Sequence, residues 1–461
     1  MFLSIDKKRP EKLAVIDDSG ASVSYGELCS FSRDFNAWVE ERSLVFILCE
    51  NRIGALAAYM ACLQCKVVPL LLSKDTDPKL LESLISTYSP SCIWAPEYFE
   101  FHVDVKRASA SFYEYGLFRT GKSSPELHPE LSLLLSTSGS TGSPKLVRHS
   151  YHNVTANAKN VAQFFELDGS ERPIAMLPIQ YTMGLSVVSS HLFAGSTVLL
   201  CSKSLTNPEF WSFIKDQKAS SFTGVPYSFE ILYKLRFFRM DLPHLKVLSQ
   251  GGGKLSDKLF KAFAEYAAEN GLKFIATYGQ TEGTARMAFL PPEKAVEKIC
   301  SIGGPIPQGQ LLLMDDNGNI IEEKVAEGEM VYRGPNVTMG YAYSAKDLAK
   351  CDENQGELKT GDIARRDENG DYYIIGRMNR FLKLYGLRIG LGDVENLVKE
   401  EFETDCYCSG NDEQLEIKIT SDSIEDIVKK FIGQKTGLFH RAIRVTVVDS
   451  IKRNEAGKVI Q

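Results

Sequence analysis

No apolar run in this chain is long enough to cross a bilayer. The strongest candidate, IGALAAYMACL from Ile53 to Leu63, stops far short of the roughly 20 residues a span requires and reads as a buried core helix. The opening MFLSIDKKRPEK carries no apolar segment behind a basic one, so a secretory leader is not expected. Neither sign of charge is in excess. Lysine and arginine number 53 against 59 aspartates and glutamates, net −6, which leaves no basic field to draw the chain to nucleic acid or anionic lipid. The ten cysteines lack the paired spacing of a zinc site. Cys62 and Cys65 form one CxxC inside the candidate helix, and strand alternation would point Cys406 and Cys408 to the same face. Neither pair has a second pair nearby, so buried thiols in a reducing, cytoplasmic compartment are expected. What the 461 residues have in quantity is core material, at 44% hydrophobic. The length corresponds to about three modules of roughly 150 residues. Disorder, collagen-like sequence and coiled coil are excluded.

Short apolar runs alternate with helical stretches through the first third. Lys12 to Asp17, Leu44 to Cys49, Val67 to Leu72 and Ser91 to Ala95 read as strands. Ser24 and Glu27 form the S-x-x-E capping box that opens a helix. Such alternation implies parallel sheets with helices on both faces. It resumes after residue 131 and continues to about residue 290. From Ile302 to Tyr341, glycines, prolines and short alternating runs predict antiparallel hairpins, with a turn at Asn317-Gly318. Beyond Gly376 the pattern becomes a small α+β unit: Tyr372 to Ile375, Phe381 to Tyr385, a helix from about Gly392, Leu415 to Thr420, a helix capped by Asp422 and Glu425, and Ile443 to Val448. The boundary falls at residues 377–380.

The densest chemical signal is LLLSTSGSTGSPK, Leu133 to Lys145. An apolar strand leads into small hydroxyl residues and glycines, then Pro-Lys, then a helix-like stretch from Asn153 to Phe165. Glycines let the backbone approach a polyanion, the hydroxyls and N–H groups donate to it, and the lysine adds fixed positive charge. The loop is not a Walker A motif, because Pro144 stands where that pattern needs its second glycine. A flexible Ser/Gly linker is the bland alternative. The apolar strand before it and the Pro-Lys after it favour phosphate binding.

STSGSTGSPK resembles the phosphate loop of the adenylate-forming superfamily: acyl- and aryl-CoA synthetases, nonribosomal peptide adenylation domains and firefly luciferase. Further motifs follow in that family's order: Ala276 to Glu282 (ATYGQTE), Gly328-Glu329 through Gly340-Tyr341, Lys359 to Asp362 (KTGD), Gly376-Arg377, Lys383 through Arg388, and Gly457-Lys458. The resemblance covers nearly the whole chain. It implies an α/β fold whose large N-terminal domain, 1–376, has two doubly wound sheets and a small β-barrel-like subdomain. A hinge at 377–380 and a small mobile α+β domain, 381–461, complete it. The implied activity is that of an AMP-forming acid–thiol ligase. ATP and a carboxylate give acyl-AMP and pyrophosphate, and the acyl group passes to a pantetheine thiol of CoA or an acyl carrier protein.

The attack sets an anion against a tetra-anion, so catalysis is mainly charge neutralisation and positioning. By resemblance, Ser136, Thr137, Ser138, Gly139, Ser140, Thr141, Gly142 and Lys145 hold the phosphates. Thr281 bonds a phosphate oxygen, and Glu282 supplies an oxygen ligand to Mg2+. Tyr278, followed by Gly279, offers a flat face to adenine. Asp362 grips the ribose hydroxyls, and Arg377 contacts ribose or phosphate. Lys458 reaches from the small domain to the reacting carboxylate. In the second half-reaction the resemblance makes Asn379 the hinge residue, and Gly386 the place where backbone passes the pantetheine arm.

The acyl pocket is expected around Tyr181, Thr182, Gly251, Gly252, Gly253 and Thr277, with the triple glycine leaving room for an aryl or medium acyl acid. Thr182 stands where amino-acid-activating relatives place an aspartate. A buried ammonium without a counter-charge is costly, which argues against an α-amino acid. The chain also departs from the family pattern. Leu146 replaces a glycine, Arg380 an acidic residue, Gly392 and Lys452 prolines, and Gln461 an arginine. Two further readings stay open: a stand-alone adenylating enzyme that loads only a carrier protein, and a non-catalytic nucleotide- or acyl-binding relative. Retention of Lys145, Glu282, Asp362, Arg377 and Lys458 together weighs against the binder.

Overall fold

The computed structural model describes residues 2–136, 145–378, 381–384, 387–411, 413–453 and 459. Two large sheets organise it. The first runs Tyr341–Ala342, Leu146–Ser150, Leu131–Ser136, Val68–Ser73, Leu44–Cys49, Cys92–Pro96, Tyr115–Arg119, Lys106–Phe112. Its centre is parallel and its margins antiparallel. The second runs Gly304–Pro305, Ala288–Leu290, Lys273–Tyr278, Val247–Gln250, Ser221–Gly224, Pro173–Ala175, Val198–Leu200, Leu13–Asp17, Ser22–Ser24, again parallel inside and antiparallel at both ends. The strand nearest the start of the chain, Leu13–Asp17, thus belongs to the second sheet.

One apolar core joins the two sheets. Inward residues of the first sheet (Val45, Ile47, Leu71, Leu133) and of the second (Val15, Ala175, Val198, Leu200) meet across helices that lie between them. Helix Ile53–Gln64 is buried at every position through Leu63, the burial expected of a helix apolar all round and packed on more than one side. Helix Tyr25–Trp38 opens with the capping box read from the sequence, Ser24 accepting from the Glu27 N–H while Glu27 accepts from the Ser24 N–H. Separate cores cover the outer faces of both sheets.

Gln310–Met314, Ala326–Arg333, Glu357–Arg366 and Tyr372–Arg377 form a four-stranded antiparallel sheet where a barrel-like subdomain was expected. Next comes a unit with its own core, from Leu382 to Ile443. It holds hairpin Phe381–Leu384/Leu387–Gly390, helix Leu391–Phe402, a sheet of Cys406–Gly410, Leu415–Ile419 and Ile443–Val447, and helix Glu425–Thr436. That last helix is not capped by Asp422 or Glu425. Its N-cap is Ile424, with no side-chain bond, and Glu425 is its first residue. Cys406 and Cys408 share a buried face with their Sγ atoms 4.0 Å apart, and all ten cysteines are free. Among the described residues no helix is long and apolar enough to cross a membrane, and no cluster of three or more His, Cys, Asp or Glu could hold a metal.

Two histidines lie wholly inside the large cores. Burial pushes His149 down to about 3 and His191 down to about 4 from the ordinary 6.5. Their folded-state pKa values lie below the unfolded ones, so between those limits the unfolded chain binds more protons. Stability is then full above pH 6.5 and falls as pH drops toward 4, by up to about 1.4 kcal/mol per pH unit for each histidine. Thermal unfolding followed from pH 7 to 4.5 should show this slope, and His149→Gln should make it shallower. An unchanged slope in the variant would assign the acid sensitivity to other groups.

Candidate active site

The phosphate-loop segment joins two adjacent antiparallel strands. Ser136 ends one and pairs with Leu146 at the start of the next. The second strand, Leu146–Ser150, stands where the sequence alone points from the loop directly into a helix. The helix begins at Tyr151. Thr137, Ser138, Gly139, Ser140, Thr141 and Gly142 lie outside the described residues, as do Asn379, Gly386 and Lys458.

Lys145 marks the return of the hairpin. Its Nζ sits 3.7 Å from the centre of the Tyr341 ring, close enough for a cation–π contact. Tyr341 in turn donates its hydroxyl to Glu282 Oε1 at 2.6 Å. Burial, then the adjacent Glu282 carboxylate, pushes the Tyr341 phenol well up, so it acts only as a donor. The loop lysine, an aromatic face and the motif glutamate therefore form one chain of contacts, the lysine over the ring and the glutamate at its edge. Tyr341 was legible only as part of a motif and had not been assigned a role.

Arg148 explains how a residue nearly two hundred positions away reaches these contacts. Its guanidinium is wholly buried and donates to the carbonyls of Met339, Tyr341, Lys350 and Cys351 and to Glu353 Oε2. Such a planar fork satisfies a whole loop at once. It pins Tyr341–Ala342 as an edge strand beside Leu146–Val147.

A second cluster gathers at the end of strand Lys273–Tyr278. Asp362, only 3% exposed, accepts from Arg377 Nε at 2.7 Å on Oδ1. Its Oδ2 accepts from Tyr278 Oη at 2.5 Å and from Gln280 Nε2 at 2.9 Å. Of the roughly four lone-pair sites of a carboxylate, about one stays open. Arg377, with a side chain 56% exposed, is the partner freest to turn toward a ligand. Gln280, which the sequence reading left aside, also bonds the Thr360 carbonyl. Gly279 lies where the chain doubles back, and a Cβ there would overlap the Ala285 carbonyl. The doubling leaves Thr281 and Glu282 half-buried on a single 3-10 turn.

The expected acyl pocket is less open than its glycines imply. A Cβ on Gly251 would stand 2.5 Å from both Met183 Cε and Thr277 Oγ1, and one on Gly253 3.2 Å from Pro226 Cγ. These glycines permit close packing, and Met183 fills the room. Thr277 Oγ1 donates to the Gln250 carbonyl at 3.0 Å. Tyr181 is the N-cap position of helix Thr182–Ala194. Thr182 lines a cavity of about 20 Å³ together with Ser186, Asn157 and Thr284.

Two doubly wound sheets, a phosphate-loop hairpin with its lysine and a buried aspartate–tyrosine–arginine cluster define a nucleotide-using ligase of the adenylate-forming class. The sequence matches the family of AMP-binding enzymes over residues 4–342, and the chain belongs to that family. Among curated relatives, the 2-succinylbenzoate–CoA ligase of Oceanobacillus iheyensis is 24% identical, over 98% of this chain and 96% of that protein. The indoleacetate–CoA ligase of Aromatoleum aromaticum is 26% identical, over 78% and 74%. The fold is shared with the o-succinylbenzoate CoA synthetase of Bacillus subtilis in complex with its acyl-adenylate intermediate, with TM-score 0.80, 20% identity, and coverage of 100% of this chain and 96% of that one.

Removing the Tyr341 hydroxyl separates its two contacts, since Tyr341→Phe keeps the ring under Lys145 and frees Glu282. The expected result is a fall of about tenfold in kcat/KM for ATP, as for loss of one hydrogen bond to a charged group, with a raised magnesium requirement. Steady-state titration of ATP at several magnesium concentrations checks it.

Proposed function

We propose that this AMP-forming enzyme joins a carboxylic acid to the thiol of coenzyme A through an acyl-adenylate. The observation that carries this reading is the Lys145–Tyr341–Glu282 chain of contacts, set on the same doubled-back segment as the Asp362 cluster. One positions a cation and a carboxylate at the phosphate loop, and the other offers a buried acceptor to a ribose. The loop hydroxyls and Lys145 neutralise the triphosphate, and Thr281 donates to a phosphate oxygen. Tyr278 flanks the adenine while its hydroxyl steadies Asp362. Glu282 has the oxygen donors that Mg2+ prefers, and a single carboxylate suits an ion that is otherwise held by phosphates and water. Bound there, the metal supplies positive charge to the phosphates. The acid enters beside Tyr181, Thr182 and Thr277, over Gly251, Gly252 and Gly253. Its oxygen displaces pyrophosphate at the α-phosphorus.

The reading divides the chain into an adenylating domain, 1–376, a hinge at 377–380 turning on Asn379, and a small domain, 381–461. Lys458 is the small domain's contribution to the first half-reaction, and Gly386 lines the path of the pantetheine arm in the second. Support for Lys458 comes from its neighbours. Arg453 and Val459 pair across the segment that holds it, and the Arg453 guanidinium packs 5.7 Å from the ring of Tyr227. Tyr227 follows Pro226, which backs Gly253. Arg453 therefore stands close to the residues proposed to wall the acyl site.

Pyrophosphate release with a panel of carboxylates, followed by addition of CoA or a phosphopantetheinyl carrier protein, tests the reading. Acid-dependent release and a CoA thioester are expected. Thioester on the carrier alone would replace the acceptor, and no release with any acid would leave only a binding protein. Lys458→Ala should slow release by about 10² to 10³, the usual cost of one preorganised transition-state donor, with ATP binding retained.

A further inference from the structure

Arg286 is 1% exposed, and among the described residues no carboxylate pairs with it. Its Nη1 reaches only Ser186 Oγ, at 3.4 Å, and its guanidinium lies 4.9 Å from the ring centre of Phe165. Nε and Nη2 have no partner. Desolvation pulls the group down to about 9, which still leaves it charged at neutral pH. An arginine buried without a counter-ion is costly to the fold and is normally paired.

Two other fully buried side chains of the large domain's helices are also unsatisfied. Both amide atoms of Asn160, which is fully buried, lack partners. Asn160 lies one turn along its helix from Asn157, a cavity-lining residue. His191 uses Nδ1 toward the Val187 carbonyl at 2.8 Å. That bond fixes the proton on Nδ1 and leaves Nε2 as a buried acceptor without a partner. A small cavity lies between the partners of Arg286 and the expected acyl side of the site. Thr182 and Ser186, one turn apart on the same helix, line it together with Asn157. Ser186 bonds Arg286, and Asn157 donates to the Arg286 carbonyl.

We propose that Arg286 is the specificity element for the far end of the acid, and that the substrate is a dicarboxylic acid. One carboxylate is adenylated, and the other is received by Arg286. The proposal rests on the adenylating activity proposed above and adds the class of acid. A second carboxylate supplies the acceptors that Nε and Nη2 lack, and turns an uncompensated buried charge into a pair. Met183, unbranched and flexible, is the side chain that yields to admit the acyl chain over Gly251. The cavity of about 20 Å³ has room for about one water, so that water is what the second carboxylate would displace.

The test compares acids matched in length, such as adipate with hexanoate and phthalate with benzoate, by kcat/KM for pyrophosphate release. Wild-type enzyme should favour the diacid member of at least one pair by 100-fold or more, in the range reported when a buried charge loses its partner. Arg286→Met, similar in length and uncharged, should collapse that ratio while turnover of the monoacid persists. Arg286→Lys should retain a partial preference. Equal use of both members by wild type, or an unchanged ratio in Arg286→Met, would overturn the proposal and leave adenylation standing. Absence of release with every acid would instead overturn the adenylating activity itself. Should Arg286→Met fail to fold, the wild-type ratio decides alone.

Discussion

A single buried carboxylate ties two of the sheets together at the site. Asp362 lies in the four-stranded sheet, and Tyr278 ends a central strand of the nine-stranded one. Arg377 closes the last strand before the small unit. A carboxylate 3% exposed would be costly unpaired. Each neighbour that satisfies it is therefore fixed in place: Tyr278 and Gln280 from one stretch of chain and Arg377 from another. The same bonds that stabilise the junction set the geometry a nucleotide would meet. They also hold the last residue of the four-stranded sheet, Arg377, at which the proposed hinge begins.

Most strands and helices were legible because their apolar periodicity is local. Leu44–Cys49 and the box at Ser24 matched the structure to the residue. What failed to show in the sequence depended on distant partners. Leu146–Ser150 reads poorly as a core strand because it contains Arg148 and His149, yet both are fully buried. Arg148 is satisfied by carbonyls from residues 339–351, and no local pattern announces that. The absent glycine at Leu146 has a similar origin: the leucine is core, packed with Leu134 and Met339.

The acyl side shows the limit of reasoning from side-chain volume. Three consecutive glycines promise space, but a neighbouring chain can claim it, and Met183 does. Selectivity then depends less on the glycines than on which side chains around them can move. Buried groups that lack partners are more informative still, because the fold bears their cost in every molecule. Arg286, Asn160 and His191 are three such groups, and no motif of the sequence pointed to them.

The hairpin form of the phosphate loop has an electrostatic consequence. In a strand–loop–helix design the helix N-terminus faces the anion and contributes part of the binding. Here a five-residue strand, Leu146–Ser150, separates loop from helix, about 17 Å at the usual rise. That distance is well beyond the range of a first-turn dipole, so the charge must come from side chains. Lys145 meets the requirement because its neighbour is a ring face, not a carboxylate. A salt bridge would hold the lysine equally well but spend its charge on the protein. The Tyr341 ring orients it without neutralising it, and Glu282 bonds the ring's hydroxyl instead of the lysine; in the proposed reaction that would leave the lysine's charge for the phosphates and Glu282 for a metal.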